Sequence, residues 1–299
     1  MNGKKFKNIE ENRVLKYRYL LIIIIAIIIA ILIIFLTVVK KNNTDSKNKI
    51  SNENVQNSSE EENTAMLVEL KQKEEEEKKK KEKEEEESSN GVIYLTFDDG
   101  PSQDITPQIL DILEQKNVKA TFFVVHFSEK NAELVKREDA SGHTVALHGY
   151  THTYSEVYAS PDACLENFRK IQQQVYETIG KKPNIIRFPG GSSNTISRKY
   201  YKGIMTEVTA RVLQEGFRYF DWNVDSDDAG HAKTKEDVYS NVTSKLKKYR
   251  ENVVLMHDFS GNKKTLNALA DIIDYGIQNG YVFRNITEDT PMVKHGINN

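Results

Sequence analysis

From about Gly91 to its C-terminus, this 299-residue sequence predicts an α/β fold built on a parallel sheet, closed or open. Three observations predict it. Apolar β-prone runs alternate with helical stretches of apolar period near 3.6. Glycines such as Gly180 and Gly216 end the helical stretches. The chemically distinctive side chains Asp98, His148, Arg187 and His257 fall at the ends of the strand runs, where parallel barrels gather their reactive groups.

Val92–Phe97 reads as the first strand. Thr106-Pro107 opens a helix as N-cap and first position, with Ile109, Ile112 and Leu113 on one face. Lys119–Val125 is strand-like, Asn131–Arg137 helical and Thr144–His148 a strand. Pro161–Ile179 is a long helix stopped by Gly180, and Asn184–Phe188 a strand. Ile204–Glu215 is a helix stopped by Gly216, followed by one strand over Phe217–Val224. Glu236–Tyr249 is helical, Val253–Met256 a strand, Leu266–Gln278 a helix and Tyr281–Ile286 the last strand.

Residues 1–90 build no core. Leu20–Val39 carries no charge and only one hydroxyl, and about 20 residues at about 1.5 Å rise span roughly 30 Å of hydrocarbon. A cleavable signal has an apolar region of about 7 to 15 residues and a small-residue cut site, so an uncleaved membrane anchor is the better reading. Residues 1–19 hold Lys4, Lys5, Lys7, Arg13, Lys16 and Arg18, which favours a cytoplasmic N-terminus and an extracellular remainder. Residues 40–90 are polar, and Lys71–Glu87 is almost pure Lys and Glu. Without sustained apolar heptads this is a charged spacer rather than a coiled-coil stalk.

The formal net charge of −2 is accompanied by no basic face of the kind nucleic acid requires. The single cysteine, Cys164, excludes an intramolecular disulfide and a thiolate metal cluster, and its helical neighbours Leu165, Phe168 and Ile171 give it a packing role.

Asp98 and Asp99 stand side by side before Gly100-Pro101, and adjacent carboxylates repel. A cation on one of them, with the other left to move protons, makes sense of the pair. His148 and His152, four apart, share a face if they lie on a helical turn. Alone such a pair is more often helix packing; beside two aspartates it suits a divalent metal such as zinc that keeps an open position. His257 after Val253–Met256 is either a satisfied core histidine or a general acid near neutral pH. Asp225, Asp227 and Asp228 form a solvated turn, a weak calcium loop or the carboxylate partner of His257. Arg187, before Phe188-Pro189-Gly190-Gly191, is a surface arginine or the group that holds Asp98 ionised. His126, His143, His231 and His295 sit in no comparable constellation and are read as structural or exposed.

Thr96-Phe97-Asp98-Asp99-Gly100, His148-x3-His152, Arg187-Phe188-Pro189-Gly190-Gly191, Trp222 to Asp228 and Leu255-Met256-His257 resemble, in order, the five motifs of the NodB-homology polysaccharide deacetylases, carbohydrate esterase family 4. The resemblance covers about Gly91 to Thr290, including Gly280-Tyr281-x-Phe283. With anchor and spacer, the whole is similar to membrane-anchored peptidoglycan N-acetylglucosamine deacetylases.

The resemblance implies a distorted (β/α) barrel with fewer than eight repeats over residues 91–299. It implies Asp98 as general base, with Asp99, His148 and His152 as ligands of a divalent metal (zinc first, cobalt or another ion as alternatives). It further implies His257 as general acid, Arg187 orienting Asp98 and Asp228 tuning His257. Trp222 and Leu255 would line the acetyl pocket, and the Gly190 N–H would bind the oxyanion. Two departures stand out. Gly149 replaces a common Ser or Thr, which predicts a missing loop-bracing hydrogen bond, and Gly190 replaces a frequent Tyr.

The expected activity is metal-dependent N-deacetylation of a cell-surface glycan, peptidoglycan above all, by a monomeric extracellular domain facing the cell wall. The alternatives are another glycan (chitin-type oligomer, exopolysaccharide or O-acetyl xylan) and an inactive glycan-binding wall protein.

Overall fold

The computed structural model describes residues 73, 75 and 90–298. The expected membrane segment Leu20–Val39 and nearly all of the spacer lie outside the described residues. Among those described, no helix is long and apolar enough to cross a membrane.

The elements run β1 (Val92–Asp98), α1 (Thr106–Gln115), β2 (Thr121–Val125), α2 (Glu129–Ala140), β3 (Thr144–Gly149), α3 (Tyr154–Val157), α4 (Pro161–Ile179) and β4 (Ile185–Ile186). A 3₁₀ turn at Ser197–Lys199 precedes α5 (Ile204–Gln214). Then come β5 (Arg218–Tyr219), β6 (Val224–Asp225), α6 (Lys235–Thr243), β7 (Glu251–His257), α7 (Lys263–Gln278) and β8 (Val282–Phe283). The strands form one eight-stranded sheet in the order β5-β4-β3-β2-β1-β7-β6, with β8 paired to β1, and every pairing is parallel. No helix follows β5 or β8 among the described residues, so the strand–helix repeats number fewer than the strands.

The sheet is a curled half-barrel rather than a barrel closed by strand pairing. The single strand expected over Phe217–Val224 is in fact two short strands at opposite edges of the sheet. Residues 220–223 cross the seam between them, with the Phe220 N–H donating to Ile186 O (3.0 Å) and the Asn223 N–H to Val253 O (3.1 Å). The seam thus binds both edges without a ladder of its own.

Alternation along each strand sorts side chains to two faces. On β1, Ile93, Leu95 and Phe97 pack with the helices, while Val92 and Tyr94 join Phe123, Ala146, Ile185, Phe220, Val253 and Ile286 inside the curl. By the same alternation Thr96 and Asp98 continue up the inner face. Both faces are covered, which is why these strands read as continuous apolar runs.

Helix signals were legible to different degrees. Pro161–Ile179 has Ser160 as N-cap, its hydroxyl accepting from the Ala163 N–H, and ends at Gly180 with φ 72°. The N-cap of α1 is Ile105, not Thr106; Thr106 lies inside the first turn and its hydroxyl is engaged elsewhere. The helix expected over Glu236–Tyr249 stops at Thr243. There Asn252 captures the chain: its Oδ1 accepts from the Lys247 N–H (2.7 Å), and its Nδ2 donates to the carbonyls of Lys247 and Arg250. Cys164 is fully buried, and burial pushes its thiol up to about 12.

The outer core centres on Phe168 of α4, fully buried and edge-on to Phe188 at 5.6 Å between ring centroids. Phe168→Ala is expected to cost about 3–5 kcal/mol, read as a lower denaturant midpoint with unchanged slope.

Candidate active site

In a strand, adjacent side chains face opposite ways, yet both carboxylates of Asp98-Asp99 reach one place. Asp98 closes β1 on the inner face, and Asp99 then takes a left-handed φ of 70°, which turns its side chain back toward the same cleft. His148 Nε2 lies 3.7 Å from Asp98 Oδ2 and 3.6 Å from Asp99 Oδ1, and His152 Nε2 lies 3.9 Å from Asp99 Oδ1. A buried carboxylate stands behind this turn. The Asp258 N–H donates to Asp98 O (3.1 Å), and its Oδ2 accepts from the Thr106 hydroxyl (2.5 Å). Burial pushes the Asp258 carboxyl up to about 7. A Cβ on Gly100 would fall on that carboxylate, so the tight turn needs its glycine.

His148 and His152 do not share a helical face, as their spacing suggested. His148 stands on β3, and His152 lies in the loop after it. A strand end followed by a tight turn at Gly149 (φ 118°) brings the rings to 5.2 Å between centroids. His148 Nδ1 is hydrogen-bonded to Arg187 O at 2.9 Å, so its Nε2 is the atom presented to the cleft. Burial, then the neighbouring His148, holds His152 below its ordinary value, which favours the neutral imidazole that ligates metal.

Asp99, His148 and His152 offer ligand atoms within 4.8 Å of one another. Asp99 Oδ1 is buried with no hydrogen-bond partner, an unmet demand that a cation would meet. The donor set of one carboxylate and two imidazoles fits a divalent transition metal.

Arg187 is fully buried, and each of its three nitrogens donates a hydrogen bond. Its Nη1 donates to Asp98 Oδ1 and to Thr96 Oγ1, both at 2.7 Å; its Nε donates to Phe220 O (3.0 Å) and its Nη2 to Asp221 O (3.1 Å). The guanidinium lies over the Phe123 ring at 4.1 Å. The surface alternative for this residue is excluded.

On the neighbouring strand His257 stands in register with Asp98, one strand spacing of about 4.8 Å away. Its Nδ1 is 2.6 Å from Asp228 Oδ1, while Asp228 Oδ2 accepts from the His257 N–H, Asn262 Nδ2 and the Thr265 hydroxyl. Burial works against a charge on the ring, but the hydrogen bond and charge of Asp228, with Asp98 and Asp99 beyond, outweigh it and push His257 up to about 9. The other two acids of that loop are occupied otherwise. Asp225 accepts from Trp222 Nε1 and the Asp227 N–H, and Asp227 accepts from the His231 N–H.

Leu255 follows Val253 on the inner face of β7, nearly buried. The Trp222 ring lies where a Cβ on Gly191 would be, so this glycine lets the indole cover the loop. The Gly190 N–H donates to no described residue and stands at the exposed rim.

Five supporting residues escaped the sequence reading. Asn262 and Thr265 fix Asp228. Buried Asp221 accepts from the Ser192 N–H and hydroxyl and from the His295 N–H, tying the Arg187 loop to the C-terminal segment. His295, read as structural or exposed, is half-buried against Trp222, with Nε2 2.6 Å from Trp222 O. Asn167 of α4 answers the Gly149 departure. Its Oδ1 accepts from the Thr151 N–H (2.8 Å), its Nδ2 donates to Thr151 O (3.1 Å), and a Cβ on Gly149 would collide with it. The bracing hydrogen bond expected to be missing is therefore supplied from another helix. None of these shows a motif spacing; only an Asn on the otherwise apolar face of α4 was a visible signal.

Asn167→Ala is expected to loosen the His152 loop and weaken metal binding about tenfold, measured by metal titration. Unchanged affinity would show that the loop holds itself.

Residues 85–207 match the polysaccharide deacetylase family model. A peptidoglycan-N-acetylglucosamine deacetylase of Bacillus cereus is 33% identical over 205 residues, covering 67% of this chain and 70% of that protein. Among solved structures, the catalytic domain of peptidoglycan N-acetylglucosamine deacetylase from Eubacterium rectale is 41% identical with a TM-score of 0.67, covering 70% of this chain and 94% of that one. A polysaccharide deacetylase of Bacillus cereus is 31% identical with a TM-score of 0.59, covering 68% and 95%. The stretch matched by the family model carries the Asp pair, the two histidines and Arg187, and with relatives of this identity and coverage the chain belongs to the polysaccharide deacetylase family.

Proposed function

We propose that this chain is a metal-dependent deacetylase that removes acetyl groups from N-acetylglucosamine units of a cell-surface polysaccharide, peptidoglycan first among them. The observation that carries the reading is the juxtaposition of an Asp–His–His cluster with an Arg-clamped carboxylate and, one strand away, a carboxylate-paired histidine. The name of the relatives supports the substrate.

Asp99 Oδ1, His148 Nε2 and His152 Nε2 would hold the cation, zinc by preference for this donor set. When bound it supplies Lewis acidity at the acetamide carbonyl. Asp98, aimed by Arg187, takes a proton from the attacking water. The Gly190 N–H donates to the oxygen that becomes negative in the tetrahedral intermediate. His257, protonated through Asp228, gives its proton to the nitrogen as the C–N bond breaks. Acetate and a free amine result. Trp222 and Leu255 bound the acetyl methyl. Leu20–Val39 would anchor the chain with its catalytic domain outside, the spacer carrying that domain, as a monomer, to the wall.

Asp98→Asn is expected to keep the metal and lose about 10²- to 10⁴-fold in turnover, whereas Asp99→Asn should lose the metal itself. Acetate release from peptidoglycan and from N-acetylglucosamine oligomers, with and without chelator, tests the reading; release from neither would overturn it. Protease added to intact cells should cleave the catalytic domain away from the membrane fraction.

His257 must be protonated to act, and its value is raised. Activity should therefore persist through neutral pH and fall as pH rises through about 9. Asp228→Asn removes the supporting charge, so the alkaline limb of kcat/KM should move down by about one unit or more; Asp225→Asn and Asp227→Asn should move it less.

A further inference from the structure

Gly190 has no side chain, but the space above it is not empty. A Cβ built on Gly190 would coincide with the hydroxyl of Tyr154, the first residue of α3. The phenol reaches this place from a different part of the chain than the Arg187 loop over which it lies. Its ring is held on two sides, edge-on to His152 at 5.7 Å and against Tyr158 at 5.4 Å. Tyr158 is itself fixed, fully buried with its hydroxyl donating to Pro189 O (2.7 Å). That bond ties Tyr158 to the residue before Gly190. Among the described residues the Tyr154 hydroxyl makes no hydrogen bond, although the ring bearing it is half-buried and clamped.

A phenol clamped by its ring, with its hydroxyl open to solvent and unspent on the protein, stands as a preset donor to whatever binds beside it. The nearest groups identify the user. The Gly190 N–H is a second donor with no protein acceptor, and His152 is one of the three residues of the Asp–His–His cluster. We infer that Tyr154 Oη is a second hydrogen-bond donor to the acetamido oxygen, acting beside the Gly190 N–H on the charge that develops there; this rests on the deacetylase reading above. The sequence is thus consistent at two positions. Gly149 makes room for Asn167, and Gly190 makes room for Tyr154, so each glycine admits a polar group from a neighbouring element.

Tyr154→Phe removes one oxygen and keeps the ring that packs on His152 and Tyr158, so the full-length protein should fold and retain its metal. With zinc-loaded protein and an N-acetylglucosamine oligomer, kcat is expected to fall about 10²-fold while KM changes less than about threefold. A kcat within twofold of the parent, or a fall accompanied by loss of bound zinc, would overturn the assignment, the latter because Tyr154 would then act only by packing His152. Acetate binding to the zinc-loaded protein supplies a readout that needs no turnover. Its carboxylate oxygen is expected to occupy the same donors, so the variant should bind acetate about tenfold more weakly; equal affinity would overturn the proposal. Should the parent protein deacetylate no glycan, the proposed substrate fails, and the acetate titration still decides whether Tyr154 is a donor to the site.

Discussion

The buried ion pair of Arg187 and Asp98 is the constraint on which the rest of the structure depends. A guanidinium with no solvent exposure must place its donors on acceptors, and its four acceptors are divided between two parts of the fold: β1 through Thr96 and Asp98, the seam through Phe220 and Asp221. Removing one partner of such a pair costs about 3–5 kcal/mol because the other is left charged and dry. The same arginine therefore aims one catalytic candidate and stitches together a half-barrel whose edges do not pair. Its own carbonyl, accepting from His148 Nδ1, also decides which ring nitrogen of His148 faces the cleft. Stability and chemistry share a single side chain.

A second polar layer does for His257 what Arg187 does for Asp98. Burial works against a charge on Asp228, but His257 first, then the hydroxyl of Thr265 and the amide of Asn262, hold its carboxyl below the ordinary value, and the His257 N–H completes its acceptor set. With Nδ1 committed to Asp228, Nε2 is left to exchange a proton. The two carboxylates, Asp98 and Asp228, are positioned by different means, one by a fixed cation and one by hydrogen bonds around a titrating partner. That difference separates base from acid across one strand spacing.

The C-terminal segment completes the rim. Asp221 receives the backbone of Ser192 and of His295, and His295 seats the carbonyl of Trp222, so the Arg187 loop, the indole and the segment at His295 are tied together. The two glycine departures fit the same logic. At Gly149 and Gly190 the space a side chain would need is taken by a polar group delivered from α4 or α3.

The sequence by itself determined the alternation of strands and helices, the stops at Gly180 and Gly216, and the set of acids, imidazoles and guanidinium that face the cleft. These follow from local rules: period, capping and the placement of polar residues at strand ends. Other features were decided only in three dimensions. The split of Phe217–Val224 into two edge strands depends on where the sheet stops, not on local propensity. The resemblance singled out Asp228 from Asp225 and Asp227, but the groups that hold it against His257, Asn262 and Thr265, stand more than thirty residues away. The left-handed turn at Asp99, which unites two carboxylates that strand geometry would separate, leaves no mark in the residue type. Asn167 and Tyr154 likewise gain their roles from glycines on other elements, because a vacant volume has no signature in sequence until the chain that fills it is folded against it.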